Sequence, residues 1–180
     1  MKRFTVIVGL AMSGIVAAAA LISLFWTPFD PSKVDPSNKY GAASWPHILG
    51  TNALGMDTAS RLMIGAQTTL LVGILAVAIA AVIGVPLGVY VGMGHRFVGQ
   101  IVARGSDILY ALPALLLAIL LAAALGASVG TATIAIGIAA IPVFQRMARA
   151  ATLSVMSQDY ILAAEVSGTP RPIIAVRHVL

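Results

Sequence analysis

The chain has 180 residues, of which 59% are hydrophobic and only 9% charged, against about a quarter charged in an ordinary soluble domain. That composition excludes a water-soluble globular fold, and the absence of cysteine excludes disulfides, thiolate metal sites and cysteine nucleophiles. The net charge of +5 follows from membrane orientation and requires no nucleic-acid partner.

Three stretches free of charge, Phe4 to Phe29, Leu62 to Gly94 and Ile108 to Gln145, each exceed the ~20 residues that cross a bilayer as helix. The third is long enough for two passes, and Gly126-Ala127-Ser128-Val129-Gly130 interrupts it as a tight turn would. The expected fold is an all-α polytopic membrane protein of about four transmembrane helices, in one domain spanning residues 1–180. Their expected limits are residues 4–26, 68–92, 106–125 and 131–148. An outer loop at 27–67 and a cytoplasmic loop at about 150–180 complete it.

The opening Met1-Lys2-Arg3 and the run after it resemble a secretory signal, with Ala17 to Ala20 as a cleavage region. Phe4 to Phe25 is longer than the ~7–15 residues of a signal core, which favours an uncleaved anchor with a cytoplasmic N-terminus. Lys2, Arg3, Arg96, Arg104, Arg146, Arg149, Arg171 and Arg177 then fall on the cytoplasmic side, and only Lys33, Lys39 and Arg61 outside. Eight of the eleven cations obey the positive-inside rule.

The outer loop carries a dense polar motif: His47, Leu49, Gly50, Thr51, Asn52, Gly55, Met56, Asp57, Ser60 and Arg61. Such a mixture exceeds what a bare connection needs and suits docking or ordering, or a well-packed entry into the second helix. Within that helix Ala76, Ala80, Gly84, Gly88 and Gly92 recur every four residues, a stripe over which two helices approach closely in lipid. Ala114, Ala118, Ala122 and Gly126 form a second such stripe. Pro86, Pro113 and Pro142 each remove a backbone donor and can kink a helix. Asp107 is expected in the first turn of the third helix, where the dipole favours an acid, and Arg146 and Arg149 are expected as anchors at the end of the fourth.

No ionisable residue lies deep in an expected span, so a proton relay is absent. The chain has no phosphate-binding G-x-x-x-x-G-K-[ST] loop and no lysine after Lys39, and so cannot hydrolyse ATP by that route. Gly126 to Gly130 fits the G-x-S-x-G pattern of serine hydrolases but lies between apolar helices, and His47, His95 and His178 are all expected in loops. Those histidines are too dispersed for a metal site. An enzyme is therefore not expected.

On the cytoplasmic side Ser157-Gln158-Asp159-Tyr160-Ile161-Leu162-Ala163-Ala164 leads to Gly168, Pro170, Arg171 and Pro172. This predicts a short helix with Ser157 as N-cap, Asp159 in the first turn and Gly168 ending it. Ile161, Ala164 and Gly168 are placed on one face, suited to a groove on another protein.

Both motifs resemble the dipeptide, oligopeptide and nickel branch of ABC importer permeases. The outer-loop pattern there is approximately H-x-L-G-T-D-x-x-G-R-D-x-x-S-R-L-x-x-G-A-R, with Asn52, Met56 and Gln67 replacing Asp, Arg and Arg. The likeness runs through Leu71-Val72-Gly73, Ile83-Gly84-Val85-Pro86-Leu87-Gly88 and Asp107-Ile108-Leu109 to the coupling motif E-A-A-x-x-x-G. There Ala163, Ala164 and Gly168 are correctly spaced and Leu162 takes the Glu position. The resemblance implies a coupling surface of Asp159, Tyr160, Ala163, Ala164, Gly168 and Arg171. It implies a second permease subunit, two ATP-binding subunits using ATP and Mg, and an extracytoplasmic binding protein, with no cofactor bound by this chain. Location is implied in the bacterial inner membrane, with transport of peptides or a similar solute by alternating access; the rival is a noncatalytic membrane scaffold. Arg177-His178-Val179-Leu180 matches the point where family members continue into two more helices, so the chain is expected to be the truncated first part of a six-helix permease.

Overall fold

The computed structural model describes the backbone of residues 2–94 and 96–179, and the side chains of these except 2, 3 and 96. The expected loop position of His95, the inward charges of Lys2, Arg3 and Arg96, and the motif's last residue, Leu180, lie outside that description. Among the described residues the regular elements are all helical, and the one β feature is an isolated bridge between Thr51 and Asp57. In chain order the helices are α1 (Lys2–Ile22), a 3-10 turn at Pro36–Asn38, α2 (Thr58–Gly92), α3 (Arg96–Ala111), α4 (Ala114–Leu125), α5 (Val129–Met156), α6 (Asp159–Val166) and α7 (Arg171–Ile174). A π-turn over Ala175–Val179 follows. Where length suggested one domain, contacts divide the chain into two compact units, Met1–Val72 and Gly73–Leu180.

Three helices, α1, α2 and α5, are long and apolar enough to cross a membrane. The second begins ten residues earlier than composition suggested, at Thr58, so the connection before it ends at Asp57. The reason is a cap. Asp57 Oδ2 accepts from the Ser60 backbone N–H at 2.8 Å, the N-cap arrangement that satisfies an otherwise orphan donor of the first turn. At 35 residues, α2 is about 50 Å long, well beyond the ~30 Å hydrocarbon core. Its polar first turns therefore extend past the core.

The third span is not one helix over 106–125. It divides at Leu112-Pro113 into α3 and α4, which meet at 87°. Proline has no N–H and disfavours the helical region for the residue before it; Pro113 itself is extended, at ψ 131°. Pro86 and Pro142, by contrast, lie inside unbroken helices. Gly126 turns the chain at φ 89°, and Ser128 caps α5 by accepting from Thr131 N–H at 3.0 Å.

Extension of α5 to Met156 puts Arg146 and Arg149 inside that helix rather than at its end. Asp107 lies in the later half of α3, not in a first turn, and pairs with Arg146 at 3.0 Å. The same guanidinium sits 4.6 Å over the Tyr110 ring, and Ser106 Oγ donates to the buried Gln145 at 3.4 Å. These contacts clasp α3 to α5.

Within the second unit, α2 lies directly against α5. A Cβ on Gly84 would stand 2.8 Å from the Ile141 carbonyl oxygen, and one on Gly92 would stand 2.5 Å from Thr152 Cβ. A Cβ on Gly88 would overlap the Gln145 carbonyl. In return Gly137 of α5 faces Ile79. Positions on both helices rise together, so they run parallel, with the buried Ala76 and Ala80 continuing the stripe. The second stripe differs, since α4 has no buried residue. Buried Thr133 and Thr152 of α5 return their hydroxyls to their own helix, at Val129 and Ala148 carbonyls, both at 2.7 Å. A membrane interior requires such internal satisfaction.

Gly88→Ala should lower stability by about 1–3 kcal/mol through overpacking, read as a fall in thermal midpoint of the detergent-solubilised protein. Gly73→Ala in the same helix, where a Cβ meets nothing within 4 Å, should leave the midpoint unchanged or raise it slightly.

Candidate functional site

The first unit gathers the loop motif around Asp57. This carboxylate is 3% exposed and accepts from Ser60 twice, from its N–H at 2.8 Å and its hydroxyl at 2.7 Å. Its other oxygen lies 2.9 Å from His47 Nδ1, which must carry the proton when the carboxyl is ionised. The Ser60 hydroxyl accepts from Phe29 N–H at 3.0 Å, and the Phe29 ring stacks on His47 at 4.4 Å. Burial pushes the Asp57 carboxyl up, but hydrogen bonds from Ser60 and His47 outweigh it and hold the group below its ordinary 3.8.

Turns position this node. Gly50 and Gly55 have φ of 68° and 75°, and a side chain on either would collide with backbone, at Gly41 and Asp35 respectively. Thr51 accepts from Gly41 N–H at 2.8 Å and donates to the Asn38 carbonyl. Asn52 Oδ1 accepts from Leu54 N–H at 2.9 Å and Met56 N–H at 3.0 Å. An aspartate would use the same oxygen, so Asn52 preserves the turn while removing its charge. Leu49 is exposed, and Arg61 reaches back to the Met56 sulfur at 3.1 Å. His47, Asp57 and Ser60 thus form one cluster, whereas Leu49 and Arg61 stand outside it. Ser60 donates to the acid and not to the imidazole, so this is not a nucleophile arrangement. Among the described residues no three His, Asp or Glu side chains converge on a metal-sized site.

In the second unit, α6 differs from expectation at its start. Its N-cap is Gln158, with no side-chain cap. Ser157 instead closes α5, its hydroxyl donating to the Ser154 carbonyl at 2.9 Å. At the other end Gly168 has φ 79°, its N–H bonds Glu165 O at 3.0 Å, and Thr169 N–H bonds Ala164 O at 3.0 Å. This is the Schellman closure, which needs a left-handed residue. Gly168 is exposed and lies past the helix, so it does not share a packing face with Ile161 and Ala164.

Ile161 is buried, as is Ile174 of α7. Asp159, Leu162, Ala163 and Val166 point outward along one line of helical spacing, with Leu162 55% and Val166 90% exposed. Arg171 Nε approaches Glu165 at 3.8 Å, and the half-exposed Tyr160 ring lies 6.0 Å from that of His178. The sequence signal missed was the spacing of Leu162 and Val166, four apart and both apolar.

Residues 84–180 match the family described as binding-protein-dependent transport system inner membrane component. That segment contains the glycine stripe and α6. Over 179 residues the chain is 34% identical to the dipeptide transport system permease protein of Alkalihalophilus pseudofirmus, covering 99% of this chain and 59% of the relative. It is 34% identical to the di/tripeptide transport system permease protein of Pseudomonas aeruginosa, over 89% of this chain and 55% of that one. It is 38% identical to the dipeptide transport system permease protein of Escherichia coli, over 90% and 56%. The chain thus spans less than two thirds of the length of these relatives.

The depressed Asp57 pKa sets a pH dependence. Its stabilising contribution is complete above about 3.8 and is lost as pH falls through the lower folded value. Hydrogen-exchange protection of the Ser60 amide should be flat from pH 5 to 8 and weaken only below about pH 4. Asp57→Ala should remove it at all pH values, costing about 0.5–2 kcal/mol.

Proposed function

Because the chain belongs to the family of binding-protein-dependent transport system inner membrane components, we propose that it is a permease subunit of an ATP-driven importer, forming part of the pathway for dipeptides or a similar small solute. The observation that carries this reading is α6, a short helix held by buried Ile161 that presents Leu162, Ala163 and Val166 outward. Such a face is suited to a groove on a partner. Asp159, Tyr160 and Arg171 would edge the contact, and Ala164 and Gly168 would set its shape.

In this reading the chain binds no cofactor. ATP and Mg belong to two separate ATP-binding subunits, a second permease subunit completes the pathway, and an extracytoplasmic binding protein delivers the solute. On this reading the ends of α3, α5 and α7 lie in the cytoplasm with the N-terminus, an orientation supported by the excess of arginine there. The His47–Asp57 node then lies on the opposite side, where it would order the surface met by the binding protein. The chain would supply two packings of its helices, between which the ATPases drive it.

The assembled transporter tests this. Gly168→Val places a β-branched residue at φ 79°, where it is strained whatever space is available, and should cut substrate-stimulated ATP hydrolysis more than tenfold. Ser167→Ala, at an exposed neighbouring position, should leave hydrolysis within about twofold. A membrane-purified complex that contains no ATPase would refute transport in favour of a scaffold.

A further inference from the structure

The first unit holds a groove of about 930 Å³ between α1, the start of α2 and the loop before it, within the ~300–1,000 Å³ range of sites that enclose a ligand. Its wall is apolar, formed by Ile15, Val16 and Ala19 of α1 with Leu62 and Ala66 of α2. Its polar lining includes Asn52, Thr58 and Arg61 at the loop end of α2. Arg61 is the last charge before the uncharged stretch Leu62 to Gly94, and it stands on the polar first turn of α2, at the membrane surface. Its Nη1 is held by the Met56 sulfur at 3.1 Å, and among the described residues no carboxylate lies within ion-pair distance of it.

We infer that this groove seats one membrane phospholipid, with the phosphate on Arg61 and an acyl chain along Ile15, Val16, Ala19, Leu62 and Ala66. An unpaired guanidinium at a membrane interface has spare donors in the fork geometry that suits phosphate oxygens. Thr58 and Asn52 add polar groups at the same end, and no polar side chain of α1 interrupts the apolar wall. Beyond Ala66 only Thr69 of the lining is polar, so the groove is charged and polar at its loop end and mostly apolar beyond it, the order in which the polarity of a lipid changes. A transmembrane helix of another protein would match the wall but leave Arg61 without an anion.

Native mass spectrometry of the full chain, released from detergent after extraction from phosphatidylglycerol-containing membranes, provides the test. One retained phospholipid per chain is expected. Arg61→Gln should reduce its occupancy about tenfold, the loss of one charge-assisted contact. Ala66→Phe, which narrows the groove while keeping the cation, should do the same. Arg171→Gln, in the second unit, should have no effect. Equal lipid retention in both groove variants would overturn the proposal. So would efficient disulfide cross-linking of Ala66→Cys to a polypeptide neighbour carrying its own cysteine, unambiguous because the chain has no other cysteine.

Discussion

The close approach of α2 to α5 within the second unit is the constraint from which most of that unit follows. Lipid offers no hydrophobic drive between helices, so association depends on packing and on hydrogen bonds. Gly84, Gly88 and Gly92 remove the side chains that would hold the backbones apart, and α5 answers with Ile141, Gln145 and Thr152. Once α5 is fixed this way, Gln145 and Arg146 meet Ser106 and Asp107 of α3. A substitution in the stripe is therefore felt at contacts made by neither helix alone.

The first unit is organised by a different device. Its helix α2 starts where a buried carboxylate can accept from the first turn, and that carboxylate also holds His47 and, through Ser60, the backbone of Phe29. Separate pieces of a 35-residue connection, Ser23 to Asp57, are thereby tied to the mouth of one helix. Replacing Asn52, Met56 and Gln67 by the charged residues of the related pattern would change charge more than shape. Asn52 already makes the turn with an uncharged oxygen, and Gln67 accepts from Ser23 Oγ at 3.1 Å.

What could be read from the sequence was set by how local each cause is. Charge-free runs revealed the membrane helices, because burying a charge in hydrocarbon is costly wherever it occurs. The four-residue glycine spacing likewise shows directly in the chain. The start of α2 was hidden because Gly, Thr and Asn suggest a loop up to Ala66. The cap signal, an acid at 57 three residues before Ser60, was present but short. Prolines could not be ranked by sequence. Pro142 is buried within α5, and packing holds that helix together. Pro113 precedes a helix with no buried residue, where nothing opposes the break. Asp107 was misplaced for the same reason, since its partner is 39 residues away.

The position of Leu162 illustrates how geometry revises a motif comparison. Judged by the family pattern, an apolar residue in place of an acid removes a contact. In the structure it extends an apolar face, because Leu162 and Val166 lie on the same exposed line of α6 as Ala163. The helix remains anchored without the acid, by Ile161 beneath it and by the Schellman closure at Gly168. Glu165, three residues on, is turned toward Arg171 at 3.8 Å and so is not a displaced substitute for it. On the proposed reading, a partner that receives α6 gains by offering apolar surface opposite Leu162 and Val166 and by keeping any cation for Asp159 at the start of that line, since a cation buried against the apolar positions would be desolvated without compensation.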